Sequence, residues 1–237
     1  METTPPSFVY ASNELDSLVG ATNYYRVIFN YFKPYLGKRI LEVGAGIGTF
    51  SSFLLNAGPS QLILFEPSRN LMPRLRERFS LDSRVTVVEE SSVEEMTNSI
   101  EVDSVVLVNV LEHIQEDKRT LARLHSLLSA RGNILLFVPA LPSLYGTLDE
   151  EFGHYRRYTK HDLITKLRQV GFDIMLVRYV NVIGVLTWFI AGKVLRRRTI
   201  KHQDVRLYDK LVVPWMSWLE SNWDTPIGQS LICIGRK

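Results

Sequence analysis

The chain has 237 residues, 46% of them hydrophobic, enough to bury a full core and near the upper end of what one α/β domain occupies. A single cysteine, Cys233, excludes an internal disulfide framework and a cysteine-rich metal site, and suits a reducing compartment. The net charge of +3 is too small to argue by itself for a nucleic-acid partner.

The first residues, METTPPSFVYASNELD, carry acids and prolines where a secretory signal has a basic start and an apolar core, so a cytoplasmic location is expected. From Lys38 the chain alternates short apolar runs with longer amphipathic ones, the pattern of a parallel sheet wrapped by helices. Strands are predicted at Lys38–Val43, Gln61–Glu66, Val85–Glu89, Val105–Asn109, Asn133–Val138, Phe172–Tyr179 and Leu231–Gly235. Helices are predicted at about Thr49–Ala57, Leu71–Phe79, Asp117–Leu128 and Lys160–Val170, the last with Thr159 as its N-cap and Gly171 as its stop. Roughly fifty residues separate the last two strands, and an insertion of that length requires a purpose of its own.

LEVGAGIGTF, Leu41 to Phe50, puts Gly44, Gly46 and Gly48 directly behind the first strand. In an open parallel sheet, ligands bind beyond the carboxyl ends of the strands, and the first strand-to-helix turn usually supplies backbone contacts. A dinucleotide-binding G-x-G-x-x-G would place its third glycine at position 49, which is Thr49. Glu42 would also face a bound phosphate with like charge, whereas it suits a ligand carrying an ammonium. Glu66, ending the second strand, is placed to accept hydrogen bonds from ribose hydroxyls. Together these point to a nucleoside with a zwitterionic tail.

LEVGAGIGTFS, LFEPS, VVLVNVLEHIQED and the glycine turn before NILLFVP, in that order from Tyr24 to Val180, resemble a class I S-adenosylmethionine-dependent methyltransferase. The resemblance implies a Rossmann-like, doubly wound α/β sheet of seven strands with the last antiparallel, and S-adenosyl-L-methionine as cofactor. It implies that Glu42, Gly44, Ala45, Gly46 and Gly48 hold the methionine end, Glu66 the ribose, and that Pro67 packs near the adenosine. Ser92 and Val93 stand where the family has an acid and a small residue against the adenine. Asn109 and Val110 would line the reactive end, with Glu112 and His113 just beyond and His113 lining the site rather than reacting.

The loop PALPSLYGTLDEEFGHYRRYTKHDL leaves the carboxyl end of a central strand and should overhang the methyl donor. His154 is the expected base, because imidazole titrates near ~6.5. Tyr155, Asp149 and Glu150 are alternatives. Arg156 and Arg157 are expected to bind a carboxylate, phosphate or diphosphate on the acceptor, with Tyr145 and Tyr24 on the same side. Tyr24 and Tyr25 read equally as core residues of an N-terminal helix or as a cover over the sulfonium. No metal-ligand spacing is apparent, and a metal-independent reaction is expected. LYGTLDEEFGHYRRYT, with the tail GQSLICIGRK, is similar to a bacterial methyltransferase subgroup linked to glycan and natural-product pathways.

Within the insertion, Tyr179–Gly192 is fourteen uncharged residues, too short to span a bilayer, and Lys193, Arg196, Arg197, Arg198 and Lys201 follow at once. A lid over the site and a peripheral membrane contact through 179–201, on the inner face of the membrane, are both consistent with this pattern. Leu211, Trp215, Trp218, Leu219 and Trp223 share one helical face. The expected organisation is a single domain: an N-terminal helical cover over 1–37, a cofactor core over 38–180, a lid over 181–229 and a final strand over 230–237. The expected activity is methyl transfer to oxygen or nitrogen of a small-molecule, sugar or lipid-linked acceptor, with no nucleic-acid partner. The alternatives are an NAD-dependent oxidoreductase, or a non-catalytic cofactor-binding scaffold that docks on a membrane or partner.

Overall fold

Short runs such as RILEV and QLILF are apolar almost throughout, as strands buried on both faces must be, while the segments between them bury one residue in three or four. The computed structural model describes residues 20–90, 92–96, 100–199 and 201–237. The reading of the first sixteen residues, and most of the N-terminal cover, therefore lies outside the described residues.

In chain order the elements are α1 (Thr22–Phe32), β1 (Arg39–Val43), α2 (Ser51–Asn56), β2 (Gln61–Phe65), α3 (Met72–Phe79), β3 (Val85–Val88), β4 (Val102–Val108), α4 (Asp117–Leu127), β5 (Leu128–Pro139), α5 (Thr147–Glu151), α6 (Lys160–Gln169) and β6 (Asp173–Val180). The insertion then contributes α7 (Val182–Trp188), a π-helical turn (Phe189–Val194), α8 (His202–Leu211) and α9 (Val213–Asn222), before β7 (Ser230–Arg236) closes the sheet.

The strand order is β3-β2-β1-β4-β5-β7-β6, parallel except for β7, which runs antiparallel to both β5 and β6. This is the expected Rossmann-like seven-stranded sheet with an antiparallel last strand. Chain order reverses between β1 and β4, which opens a crevice at their carboxyl ends. One core layer packs Leu121, Leu124, Leu163 and Leu167 of α4 and α6 against the sheet. The other packs Ile28 and Phe32 of α1, Leu54 of α2 and Leu75 of α3 on the opposite face.

One local feature differs from expectation. The tryptophan-bearing segment is two helices, since α8 stops at Leu211 and Pro214 sits in the first turn of α9. Thr159 caps α6 as expected, accepting from the Asp162 amide at 3.0 Å.

Candidate active site

The carboxyl ends of β1, β2, β4 and β5 open into a cleft of about 1140 Å³, lined there by Gly44, Gly46, Glu66, Asn109 and Pro139. Gly44, Gly46 and Gly48 have φ of 73°, 58° and 81°, a left-handed run that side chains resist. At Gly44 the case is also steric, because a Cβ would lie 2.5 Å from Cγ2 of Val110. The loop is pinned from the next strand: the Gly46 amide donates to Oε2 of Glu66 at 2.7 Å, and the Ser68 amide donates to its Oε1 at 2.9 Å. A carboxylate offers about four lone-pair sites, so Glu66 keeps capacity for two hydroxyls. Asn109 directly follows β4 with φ 52°, and its amide donates to the Phe137 carbonyl at 2.8 Å, fixing the turn that aims Val110 at the glycine loop.

Pro67, Ser92, Val93 and Val110 line the cleft, and Glu94 joins them, accepting from Thr120 Oγ1 at 2.7 Å. The acid that the motif lacks at Ser92 and Val93 thus sits two residues on from Ser92. Glu42, Ala45 and Gly48 are placed differently: all three lie behind the loop, off the cleft wall. Glu42 alternates to the face covered by α1, α2 and α3, where Oε2 is buried without a hydrogen-bond partner. Burial pushes its carboxyl up to about 8, helped by the charge of Glu66 and opposed by the Ser51 hydroxyl and Arg78.

Opposite the glycine loop, the connection from β5 to α6 delivers His154 and Arg157, both lining the cleft, onto one buried carboxylate, Asp149. Asp149 Oδ1 accepts from His154 Nδ1 at 2.9 Å and from Arg157 Nε at 2.7 Å, while Oδ2 accepts from Trp188 Nε1 at 3.2 Å and the Gly146 amide at 3.1 Å. Burial works to raise the Asp149 pKa, but the His154 hydrogen bond and the Arg157 guanidinium outweigh it and hold the group below the usual carboxylate range. An ionised Asp149 fixes the tautomer of His154, keeping the proton on Nδ1 and leaving Nε2 as the acceptor. His113 packs edge-on to the His154 ring at 4.8 Å. Burial first, then His154, brings its pKa down to about 4, so it is neutral at physiological pH.

Folding also gathers Glu112, His113 and His154 with one donor atom each within 4.8 Å of one another, a cluster that a separation of 41 residues hides in the sequence. Tyr155 lines the cleft at 55% exposure. Tyr24 lines it from α1, and its phenol is pushed up to about 12 by burial, against hydrogen bonds to Ser230 and Asn181.

Two expected acceptor contacts are corrected. Arg156 turns away from the cleft, because Asp117 takes its guanidinium at 2.9 Å and the Gln115 carbonyl accepts from it at 2.7 Å. Tyr145 does not line the cleft either: its hydroxyl donates to the His154 carbonyl at 2.7 Å and so braces the loop.

Residues 23–177 match the family model described as "Methyltransferase domain", which covers well over half of the chain. The chain belongs to the methyltransferase domain family. Its fold is that of the class I S-adenosylmethionine-dependent methyltransferases, and S-adenosyl-L-methionine is the cofactor that goes with it. An S-adenosylmethionine-dependent methyltransferase from Archaeoglobus fulgidus superposes with TM-score 0.60 at 15% identity, covering 95% of this chain and all of that one. Phosphoethanolamine N-methyltransferase 2 of Haemonchus contortus, solved with S-adenosyl-L-methionine, gives TM-score 0.61 at 22% identity over 91% of this chain and 52% of its own. In sequence, 144 residues are 28% identical to the Dictyostelium discoideum protein named Probable polyketide synthase 27, and this methyltransferase segment spans only 5% of that chain's length.

The residues present fit this cofactor. A backbone-only loop at the switch point, a ribose-competent carboxylate 20 residues on from Gly46, and an acid at Glu94 all face one cleft. Sequence reasoning missed Glu94, Trp188, Asn181, Tyr208 and Ser230, which reach the cleft from positions that no local motif marks.

Proposed function

We propose that the protein transfers a methyl group to an oxygen or nitrogen of a small-molecule, sugar or lipid-linked acceptor, with His154 as the general base. The observation that carries this is the Asp149–His154 pair at 2.9 Å on the wall opposite the glycine loop. When bound, S-adenosyl-L-methionine supplies an electrophilic methyl on a sulfonium. Gly44 and Gly46 hold its amino-acid end through backbone, Glu66 takes the ribose hydroxyls, Ser92, Val93 and Glu94 surround the adenine, and Asn109 and Val110 flank the reacting centre. Glu42, buried behind the loop and off the cleft wall, supports the loop from that side rather than touching the cofactor.

His154 would take the acceptor's O–H or N–H proton on Nε2 as the methyl passes from sulfur to the acceptor atom, the sulfur–carbon bond pair leaving with S-adenosylhomocysteine, and Asp149 would stabilise the imidazolium through Nδ1. Arg157 is a positioning residue that keeps Asp149 ionised. Tyr155 and His113 line the acceptor side, and the inner face of the insertion, with Trp188 and Tyr208, closes the cleft over it. The cleft exceeds the ~300–1,000 Å³ of ordinary ligand pockets, which supports an acceptor bound alongside the cofactor. The subgroup likeness noted in the sequence favours a glycan or natural-product intermediate.

Calorimetric titration tests the cofactor half. S-adenosyl-L-methionine and S-adenosylhomocysteine bind, NAD does not, and Glu66→Ala weakens both. Release of S-adenosylhomocysteine across an acceptor panel tests the other half. His154→Gln is expected to lower turnover by about 10²–10⁴ with cofactor affinity unchanged. Full turnover in that variant across neutral pH refutes the base. Turnover that survives in wild type but is lost after dialysis against EDTA reassigns His154 as a metal ligand with Glu112 and His113.

A further inference from the structure

Among the described residues, fifteen large hydrophobic side chains are exposed, and twelve of them lie between Ile183 and Ile227. They include Leu186 at 61%, Leu207 at 61%, Trp215 at 74%, Trp218 at 64% and Trp223 at 69%. Helices of an ordinary lid would turn such residues inward. These helices do the opposite: α7 buries Gly184, α8 buries Asp209, and α9 buries Val213, Met216 and Glu220.

Polar bonds hold the inner faces in place. Glu220 accepts from the Val182 amide at 2.9 Å, Tyr208 donates to Asn181 at 2.6 Å, and Asp209 accepts from the Tyr24 amide at 2.8 Å. Trp188 also faces inward, donating to Asp149, so the insertion is held to the core without Trp215, Trp218 and Trp223, whose side chains stay exposed. Exposed apolar area of this extent marks a surface that another phase or molecule covers.

The charge says which. Residues 181–229 contain seven Lys and Arg against four Asp and Glu, leaving 21 of each in the rest of the chain, so the whole net charge of +3 resides in the insertion. All seven cations are exposed, whereas two of the four acids, Asp209 and Glu220, are buried. No described helix is long and apolar enough to cross a membrane. Tryptophan, leucine and phenylalanine outward beside clustered Arg and Lys is the composition of a segment lying in an anionic bilayer interface. A second copy of the same face would bring like charges together, which disfavours self-pairing.

We infer that the outward face of the insertion, from Ile183 to Ile227, docks the protein on an anionic lipid bilayer. Docking places the cleft beside the lipid, because Thr187, Trp188, Ala191, Arg197 and Lys201 of the same insertion line that cleft from within. The surface extends well past the segment 179–201 marked in the sequence, and begins later, since Tyr179 and Val180 belong to β6. What the docking delivers, an acceptor presented at a membrane, rests on the methyl-transfer reading; the docking itself does not.

All four tryptophans, Trp188, Trp215, Trp218 and Trp223, lie in the insertion, so intrinsic emission reports on this region alone. The full chain is mixed with vesicles of phosphatidylcholine, or of phosphatidylcholine and phosphatidylglycerol at about two to one, and followed by emission and by cosedimentation. A blue shift and at least roughly tenfold tighter partitioning to the anionic vesicles, weakened by salt, are expected. Trp215→Ser with Trp218→Ser should lower partitioning roughly tenfold, and Arg196→Glu with Arg198→Glu by at least about fivefold per cation. Affinity for S-adenosyl-L-methionine should be unchanged in both double variants, which separates loss of docking from loss of fold or of the cofactor site. Absence of binding to either vesicle overturns the inference. So does a concentration-dependent dimer that the tryptophan variant abolishes, or binding to single-stranded nucleic acid that matches the vesicle affinity.

Discussion

The wall of the cleft formed by β1, β2 and β4 presents mostly backbone, whereas the wall formed by the β5–α6 connection and the insertion presents side chains drawn from distant parts of the chain. On the first wall, the amides of Gly46 and Ser68 lock Glu66, and the Asn109 amide locks onto Phe137. On the second, one buried carboxylate, Asp149, collects His154, Arg157, Trp188 and the Gly146 amide. Backbone recognition depends on conformation and should fail when a glycine is lost. Side-chain recognition depends on charge balance and should fail when one partner is neutralised. The two walls can therefore be broken separately.

Asp149→Asn should have the largest effect. It leaves the Arg157 cation buried without its counter-charge, and breaking such a pair costs about 3–5 kcal/mol. Differential scanning fluorimetry should show a Tm lower by roughly 10 °C, and turnover should fall with it, while protein still folded at low temperature binds S-adenosyl-L-methionine normally. Parallel loss of cofactor affinity would show that the two walls are one cooperative unit.

Gly44→Val attacks the other wall. The position has φ 73° and a Cβ there meets Val110 at 2.5 Å, so the variant combines left-handed strain with overpacking, on the order of 1–3 kcal/mol. Calorimetry should show no detectable cofactor binding, with the Asp149 network intact. Val110→Ala in the same chain should recover some stability, because it removes the clash but not the strain.

Glu42 sharpens the contrast through pH. A carboxyl near 4.5 in the unfolded chain and about 8 in the folded one means that the native state holds the extra proton between those values. Its stabilisation is present below pH ~4.5 and is lost as pH rises toward 8. Glu42→Gln, which keeps the shape without the titration, should flatten this limb, with a Tm above wild type by roughly 5 °C at pH 9 and nearly equal at pH 5. Identical pH profiles would place the Glu42 proton elsewhere.

Much of this was legible in the sequence because the signals are local. Strand parity, Thr159 as a cap and the glycine loop with Glu66 each depend on neighbours within a few residues or on one adjacent strand. The acceptor wall was less legible. Arg156 and Arg157 are adjacent and chemically identical, yet one goes to Asp117, 39 residues away, and the other to Asp149. Local pattern cannot choose between those partners. Of the five residues grouped on one helical face, only Trp215, Trp218 and Leu219 lie in α9, since Leu211 ends α8 and Trp223 follows α9; amphipathicity also gives a face and not its direction, and Trp215 and Trp218 point to solvent. The buried Val213 and Met216 of α9 and the polar anchors Asn181, Asp209 and Glu220, drawn from distant positions, fix that orientation.

The smallest expected effect probes how the two walls are joined. Helix α1 starts at Thr22 with no side-chain cap of its own, and Asp209 from α8 serves instead, accepting from the Asn23 amide at 3.1 Å and the Tyr24 amide at 2.8 Å. An anion at a helix N-terminus satisfies unpaired donors and complements the helix dipole, together about 1–2 kcal/mol. Tyr24 rises from this end of α1 onto the cleft, so the clasp couples the insertion to a residue of the cleft wall. Asp209→Ala should lower Tm by about 2–4 °C and speed amide exchange at Asn23 and Tyr24, with a small loss of cofactor affinity. Asp209→Asn, which keeps an acceptor but not the charge, should recover part of each. Were exchange at those two amides unchanged in Asp209→Ala, apolar packing between α1 and α8 alone would join the insertion to the core.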